Sequence, residues 1–396
     1  MRSIFLIGTS IGLCCLLFST DSSAQSADKR QELADKIAHD VLQVKSNDVI
    51  VLTGDSSELE LIDDIALAIR EVGAFAVTDI GSNRLKKQYF QRVPDQFDSQ
   101  PPKDLIGLAS IATAFVNIAY PVDRSINAGV SPARLNVLAG ANNVFEQYLL
   151  KHNIPEINVG NGVFPSPGNA ARFAVTEDEL ANLFWSGVNT DYPQIRRDTL
   201  AMGRATTGGS HRIHMTAPNG TDFTFRTVPG SAIMNNGSVS DEDRRRGGAA
   251  LEKQLPAGDV YVLPQGGTAD GVIVFGTEPI HTGNLVGWTV HFSNGSVTSM
   301  QADAGFGPVQ KAYDAGTVGR DQFAWADFPV NRSIRVGAGT WGAGPSMAAG
   351  WVTAGIGNNL PQGGSDASSF ALSSNIPDVT VTVDGKAVIT DGHLSL

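Results

Sequence analysis

Cysteine is nearly absent from this chain. Its 396 residues include two, Cys14 and Cys15, side by side near the N-terminus. They sit in an apolar run, Ile4 to Phe18, that follows Arg2 and is too short to span a bilayer comfortably. Small residues come next, ending Ser22-Ser23-Ala24 before Gln25, the pattern of a cleaved signal peptide. The expectation is removal of 1–24, a periplasmic or secreted protein, and a mature chain with no thiol. Thiol catalysis, disulfides and cysteine-based zinc sites are then excluded. Basic charge is scarce too: 29 Lys and Arg face 40 Asp and Glu, a formal charge of -11, and loss of the signal removes Arg2 and Asp21 together. The basic block Arg244-Arg245-Arg246 adjoins Asp241, Glu242 and Asp243 and reads as a solvated loop. Such a surface argues against nucleic acid, and against a membrane once the signal is gone.

What is present changes character near residue 205. Thirteen of the 43 glycines precede it and 30 follow. The first part, 25–204, alternates helix and strand patterns. Leu33, Ile37 and Val41 repeat at helical spacing, Val49 to Thr53 reads as a buried strand, and Glu58 to Val72 reads as a helix closed by Gly73. Ala74 to Ile80 and Ala114 to Tyr120 read as further strands and Arg134 to Asn153 as a helix. Thr176-Glu177-Asp178-Glu179 reads as a capping box. Alternation of this kind predicts an α/β domain with a mainly parallel sheet covered on both faces. The second part, 205–396, has strand-like segments around Asn219-Gly220, Asn294-Gly295 and Asp384-Gly385, whose residues supply the positive φ of tight hairpins. It predicts an α+β domain rich in antiparallel strands.

Several landmarks of the second part resemble the M29, aminopeptidase T-like, metallopeptidase family. They are Arg212-Ile213-His214 with Asn219-Gly220-Thr221-Asp222-Phe223-Thr224-Phe225; Leu255-Pro256-Ala257-Gly258-Asp259-Val260 with Pro264; Asp321-Gln322-Phe323-Ala324-Trp325-Ala326-Asp327-Phe328-Pro329; Gly350-Trp351-Val352-Thr353-Ala354-Gly355-Ile356-Gly357; and Gly363-Gly364 with Ser368, Ala371, Ser373 and Thr380-Val381-Thr382-Val383-Asp384-Gly385. Five segments in this order, with a similar helix and strand order upstream, extend the resemblance over nearly the whole mature chain. It implies the family's two-domain fold, a homodimer, an active site in a cavity between domains, and a peptide or small amide as ligand. The family's chemistry uses two glutamates, two histidines and an aspartate to hold two divalent ions that polarise a carbonyl and activate a bridging water. Matched residue by residue, those positions are Asp259, Gln322, Thr353, Ala371 and Ser373, and only Asp259 is a strong cation ligand. No glutamate follows Glu278, and only His393 follows His291, so no shift of alignment restores a His-x-Asp pair there. The iron-dependent dihydroxypyridine ring-cleaving dioxygenases that share the fold also need histidines and a carboxylate, so the same substitutions count against them.

Other groups are weighed against that gap. Glu278 and His281 lie close in sequence and, with Asp259, are candidates for a relocated site holding one zinc, cobalt, manganese or iron ion; the plainer alternative is loop and surface residues and no metal. Asp314, Asp321 and Asp327 are candidates to approach Asp259 and bind a cation through oxygen. His211 and His214 are three apart on a strand, where such residues face opposite ways. The serines around Asp366 have no base nearby in sequence. Gly337 to Pro345 lacks the context of a phosphate-binding loop. Two functions stay open: an exported hydrolase of aminopeptidase type with an altered metal centre, and a metal-free protein that binds a peptide or small molecule in the inherited cavity.

Overall fold

The computed structural model describes residues 19–119, 126–127, 129–280, 283–336 and 348–396. Most of the expected signal segment, His281 and the run Gly337 to Pro345 lie outside the described residues. The chain folds into an α/β part built on a parallel sheet and a part built on two mainly antiparallel sheets. No helix among the described residues is long and apolar enough to cross a membrane. The first helix, Ser19–Lys36, runs through the position expected for cleavage and continues as a wider π turn, Ile37–Val41, that buries Ile37 and Val41.

The first sheet is parallel and runs in the order Phe75–Gly81, Val49–Asp55, Ala114–Ile118, Glu156–Val159, Glu252–Leu255. Its central strands, Val49–Asp55 and Ala114–Ile118, are short, largely apolar runs because both faces are covered. Leu52, Val116 and Ile157 pack towards the helix Leu59–Glu71, which buries Leu61, Ile62, Ile65 and Ile69 at helical spacing. Val51 and Phe115 pack on the other face against Phe145 and Leu149 of the helix Pro132–His152. The capping box at Thr176 forms as expected: Glu179 N donates to Thr176 Oγ1 and Thr176 N donates to Glu179 Oε2.

Two features of this sheet position the site. From Val49–Asp55 the chain steps to one side, to Phe75–Gly81, and then returns to the other side, to Ala114–Ile118. That reversal opens a crevice at the carboxyl ends of these strands, where open α/β sheets take ligands. The fifth strand, Glu252–Leu255, comes from beyond residue 205, so the expected division at 204 and 205 is crossed by a strand that returns to the first sheet.

The second part holds an eight-stranded sheet, from Ser296–Gln301 at one edge through Asp222–Arg226 and Arg212–Thr216 to His393–Leu394 at the other. A five-stranded sheet packs against it, in the order Ala371–Ile376, Val352–Gly357, Phe323–Asp327, Asp259–Val262, Ile233–Asn235. Phe223, Phe225, Phe292 and Phe323 fill the space between them, with ring centroids 4.8 to 6.0 Å apart. Each such ring contributes roughly 1.5–3 kcal/mol by burial. The expected hairpin turns are present, with positive φ at Gly220, Asn294, Gly295, Asp384 and Gly385.

Candidate functional site

One face of the five-stranded sheet carries a row of polar side chains, and strand pairing explains it. Asn235 pairs with Asp259, Tyr261 with Asp327, Asp327 with Thr353, and Thr353 with Asn375. Side chains alternate along each strand, so paired residues and those two positions away share a face. Asn235, Asp259, Tyr261, Asp327, Thr353 and Asn375 thus run across all five strands, with Ser373 beside the last. Burying polar groups here is tolerated because most are hydrogen-bonded to one another.

Asp259 is 1% exposed, and its Oδ2 accepts from Asn235 Nδ2 at 3.0 Å and Asn161 Nδ2 at 3.2 Å. Burial pushes its carboxyl up to about 6 against the pull of those two amides. Asp327 is 2% exposed; burial and then the charge of Asp259 hold it well above the usual carboxylate range, opposed by the backbone N–H groups of Val260 and Phe328. One oxygen of each, Asp259 Oδ1 and Asp327 Oδ1, has no hydrogen-bond partner. Burial, then Asp327, Asp259 and Glu252, also raise the Tyr261 phenol, which stays neutral.

Two neighbouring chambers open beside this row, and Asn161 and Gly162 line both. Asn161 is fixed by a second bond, Nδ2 to Pro256 O at 2.9 Å. The preceding Gly160, at φ +138°, lets the loop pass the sheet, since a Cβ there would sit 2.5 Å from Ala119. The smaller chamber, about 110 Å³, is bounded by Arg172, Glu278, Thr353, Ser373, Ser374 and Asn375. Thr353 Oγ1 donates to Asn375 Oδ1 at 2.7 Å, Ser374 Oγ donates to Glu278 Oε2 at 3.1 Å, and Arg172 lies 3.5 Å from Glu278 Oε1. Burial raises the Glu278 carboxyl, opposed by Arg172 and Ser374. The larger chamber, about 540 Å³, lies at the crevice of the parallel sheet, between Thr53, Asn117, Asn158 and Gln254 on one side and Tyr261 on the other.

The sequence candidates separate in space. Asp259 and Thr353 belong to the polar row, and Ser373 and Glu278 line the smaller chamber. His281 is outside the described residues. Gln322 stands elsewhere: its Nε2 donates to Ser296 Oγ at 2.7 Å, and it lines a different cavity of about 530 Å³ together with Asp321 and Asp366. A β-bulge between Phe323 and Trp325 separates it from Asp327, so Asp327 is the acid this strand places beside Asp259. Ala371 is exposed at the far end of its strand, paired with Gly357, and it is Asn375 that faces Thr353. Asp366 is held by Asn359. His214 lies on the strand Arg212–Thr216 and His211 just before it, hydrogen-bonded to Asp222 and Asp384 respectively. Sequence reasoning missed Asn161, Asn235, Arg172, Tyr261 and Asn375. Asparagine opposite aspartate on neighbouring strands is visible only once strand order is known.

This donor set does not fit the metal pair that the resemblance implies. Among the described residues no three of His, Cys, Asp and Glu gather in a group that would hold a metal ion. The two buried aspartates are flanked by amides and hydroxyls, where a dinuclear centre of that type needs histidines and further carboxylates.

No protein-family model matches the chain, and no curated protein matches it. Solved structures do. Wild-type AmpT from Thermus thermophilus superposes with a TM-score of 0.67 at 14% identity, over 93% of this chain and 99% of AmpT. The 2,5-dihydroxypyridine dioxygenase from Pseudomonas putida KT2440 superposes with a TM-score of 0.56, also at 14% identity, over 93% of this chain and 97% of the dioxygenase. The fold is that of the aminopeptidase T-like proteins, and at this identity the likeness speaks for the fold alone.

Proposed function

We propose that this chain is a binding protein on the aminopeptidase T-like frame, which takes a small polar ligand of peptide or amide type in the two neighbouring chambers without the metal chemistry of that frame. One observation carries the reading. The strands at the old ligand positions present neutral groups to the smaller chamber, Thr353, Ser373, Ser374 and Asn375, and its one carboxylate, Glu278, is already held by Arg172 and Ser374. Neutral hydroxyls and amides bind peptide groups by hydrogen bonds and bind divalent ions weakly. The larger chamber has a volume typical of small-ligand sites, and its wall is mostly amide and hydroxyl.

A second reading, a hydrolase with an altered metal centre, draws on the partnerless oxygens of Asp259 and Asp327, because buried carboxylate oxygens without donors are what a cation would satisfy. Calorimetric titration of the purified mature protein with dipeptides and aminoacyl amides, before and after chelation, separates the two. Binding without turnover that survives chelation supports the first reading. Turnover lost on chelation and restored by one metal ion supports the second. We include export and a homodimer in the proposal; N-terminal sequencing of the mature protein and light scattering on a sizing column test them.

A further inference from the structure

The wall of the larger chamber is a ladder of side chains across the parallel sheet. Thr53 Oγ1 donates to Asn117 Oδ1 at 2.8 Å, Asn117 Nδ2 donates to Asn158 Oδ1 at 3.0 Å and also to Glu156, and Asn158 Nδ2 donates to Glu252 Oε1 at 3.1 Å. Gln254 Nε2 donates to the same Glu252 oxygen at 2.7 Å. Two glutamates thus anchor the ladder from behind, one pleat below Asn158 and Gln254 on the same face. A carboxylate accepts and does not donate, so it fixes which end of each amide points inward. The amide nitrogens turn towards the acids, and acceptors are left for the chamber. The side-chain oxygens of Gln254 and Asn161, both lining it, accept no hydrogen bond from any described residue.

The charge behind that wall is of one sign. Glu146 of the helix Pro132–His152 joins Glu156 and Glu252; Glu252 raises the carboxyls of both Glu146 and Glu156, and Glu146 raises that of Glu156 as well. No ion pair among the described residues involves any of the three. The basic residue nearest on these strands, Lys253, points off the opposite face to Asp243 at 3.1 Å. On the far side of the chamber, Tyr261 leads to Asp259 and Asp327. A cavity with acceptor oxygens on its surface and uncompensated acids behind them matches a ligand that brings N–H donors and a positive charge.

We propose that the larger chamber receives a primary ammonium group, seated on the side-chain oxygens of Gln254 and Asn161 and held in the field of Glu252. This deepens the binding reading given above and rests on it for the peptide class of ligand, since the amino terminus of a short peptide is such a group. A peptide with its ammonium there extends past Asn161 into the smaller chamber, where Arg172 stands beside hydroxyls suited to its carboxylate end.

The test is calorimetric titration at pH 7.5 of the mature chain with alanyl-alanine, its N-acetyl derivative, 1,4-diaminobutane and the diacetylated diamine. The expected result is that each free amine binds at least tenfold more tightly than its acetylated form, and that Glu252→Gln and Gln254→Leu each reduce this preference tenfold or more. Melting curves and near-ultraviolet circular dichroism confirm that the variants are folded, and two variants guard against failure of either one. Equal affinity for free and acetylated forms overturns the ammonium site while leaving peptide binding in place. Diamine binding that depends on Glu252, with no peptide binding, keeps the ammonium site and removes the peptide reading. No binding by any of the four overturns both.

Discussion

Replacing Glu156 by glutamine isolates the cost of the buried acids. Burial, Glu146 and Glu252 together raise this carboxyl from 4.5 to about 8, with Asn117 pulling the other way. The folded chain therefore holds a proton that the unfolded chain has released, and stability falls as pH rises from about 4.5 to 8. At about 1.4 kcal/mol for each pH unit, the gap between 4.5 and about 8 caps this loss at about 5 kcal/mol. Glutamine has the shape of the protonated acid, keeps an oxygen for Asn117 and does not ionise. Glu156→Gln should match the parent near pH 4.5 and exceed it increasingly up to pH 8, with the gain levelling above that. Urea unfolding followed by circular dichroism at pH 4.5, 6, 7 and 8.5 measures the difference directly. A constant difference across that range, or a variant weaker than the parent at pH 8.5, refutes the assignment of a buried, uncompensated acid.

Other expectations follow the same physics. Asp259→Asn should be more stable than the parent above pH 6 by up to about 3 kcal/mol, the gap between 3.8 and about 6 at about 1.4 kcal/mol per pH unit, and no different near pH 3.8. Asp259→Ala should be less stable than Asp259→Asn by about 1–3 kcal/mol, because the amides of Asn161 and Asn235 lose their acceptor; equal stability of the two variants in urea denaturation contradicts the network. Gly355→Ala places a Cβ 2.4 Å from the Trp325 ring and should cost about 1–3 kcal/mol, with a changed near-ultraviolet tryptophan band; an unchanged band and melting temperature would mean that the ring is not packed there.

Much of the architecture is written plainly in the chain. The helical spacing of Leu61, Ile65 and Ile69, the glycine after that helix and the Asn-Gly and Asp-Gly turns are local signals, and the structure follows them. Local signals fail where partners come from afar. Glu252-Lys253-Gln254-Leu255 has no apolar run, yet it forms the fifth strand of the first sheet because Lys253 finds Asp243 and Met234 O on one face while the two polar residues join the ladder on the other. The site shows the same division. Asp259 and Thr353 were recognisable from segments that resemble a known family, and both lie in the polar row. Gln322 does not, because the bulge before Trp325 changes the register that simple counting assumes. Asn375 rather than Ala371 meets Thr353 because the pairing of two strands places it there.

The central claim is that the chambers beside the polar row bind a ligand and that the row does not hold the metal pair that the frame suggests. Elemental analysis of the purified mature protein, equilibrated with zinc, cobalt, manganese and iron and then dialysed, tests it most directly when run beside hydrolysis of aminoacyl amides. The account predicts far less than one metal ion per chain, no turnover, and a dipeptide affinity that chelation leaves unchanged. One or two ions per chain, lost together with hydrolysis on chelation and abolished by Asp259→Ala, would contradict it and establish a rebuilt metal centre.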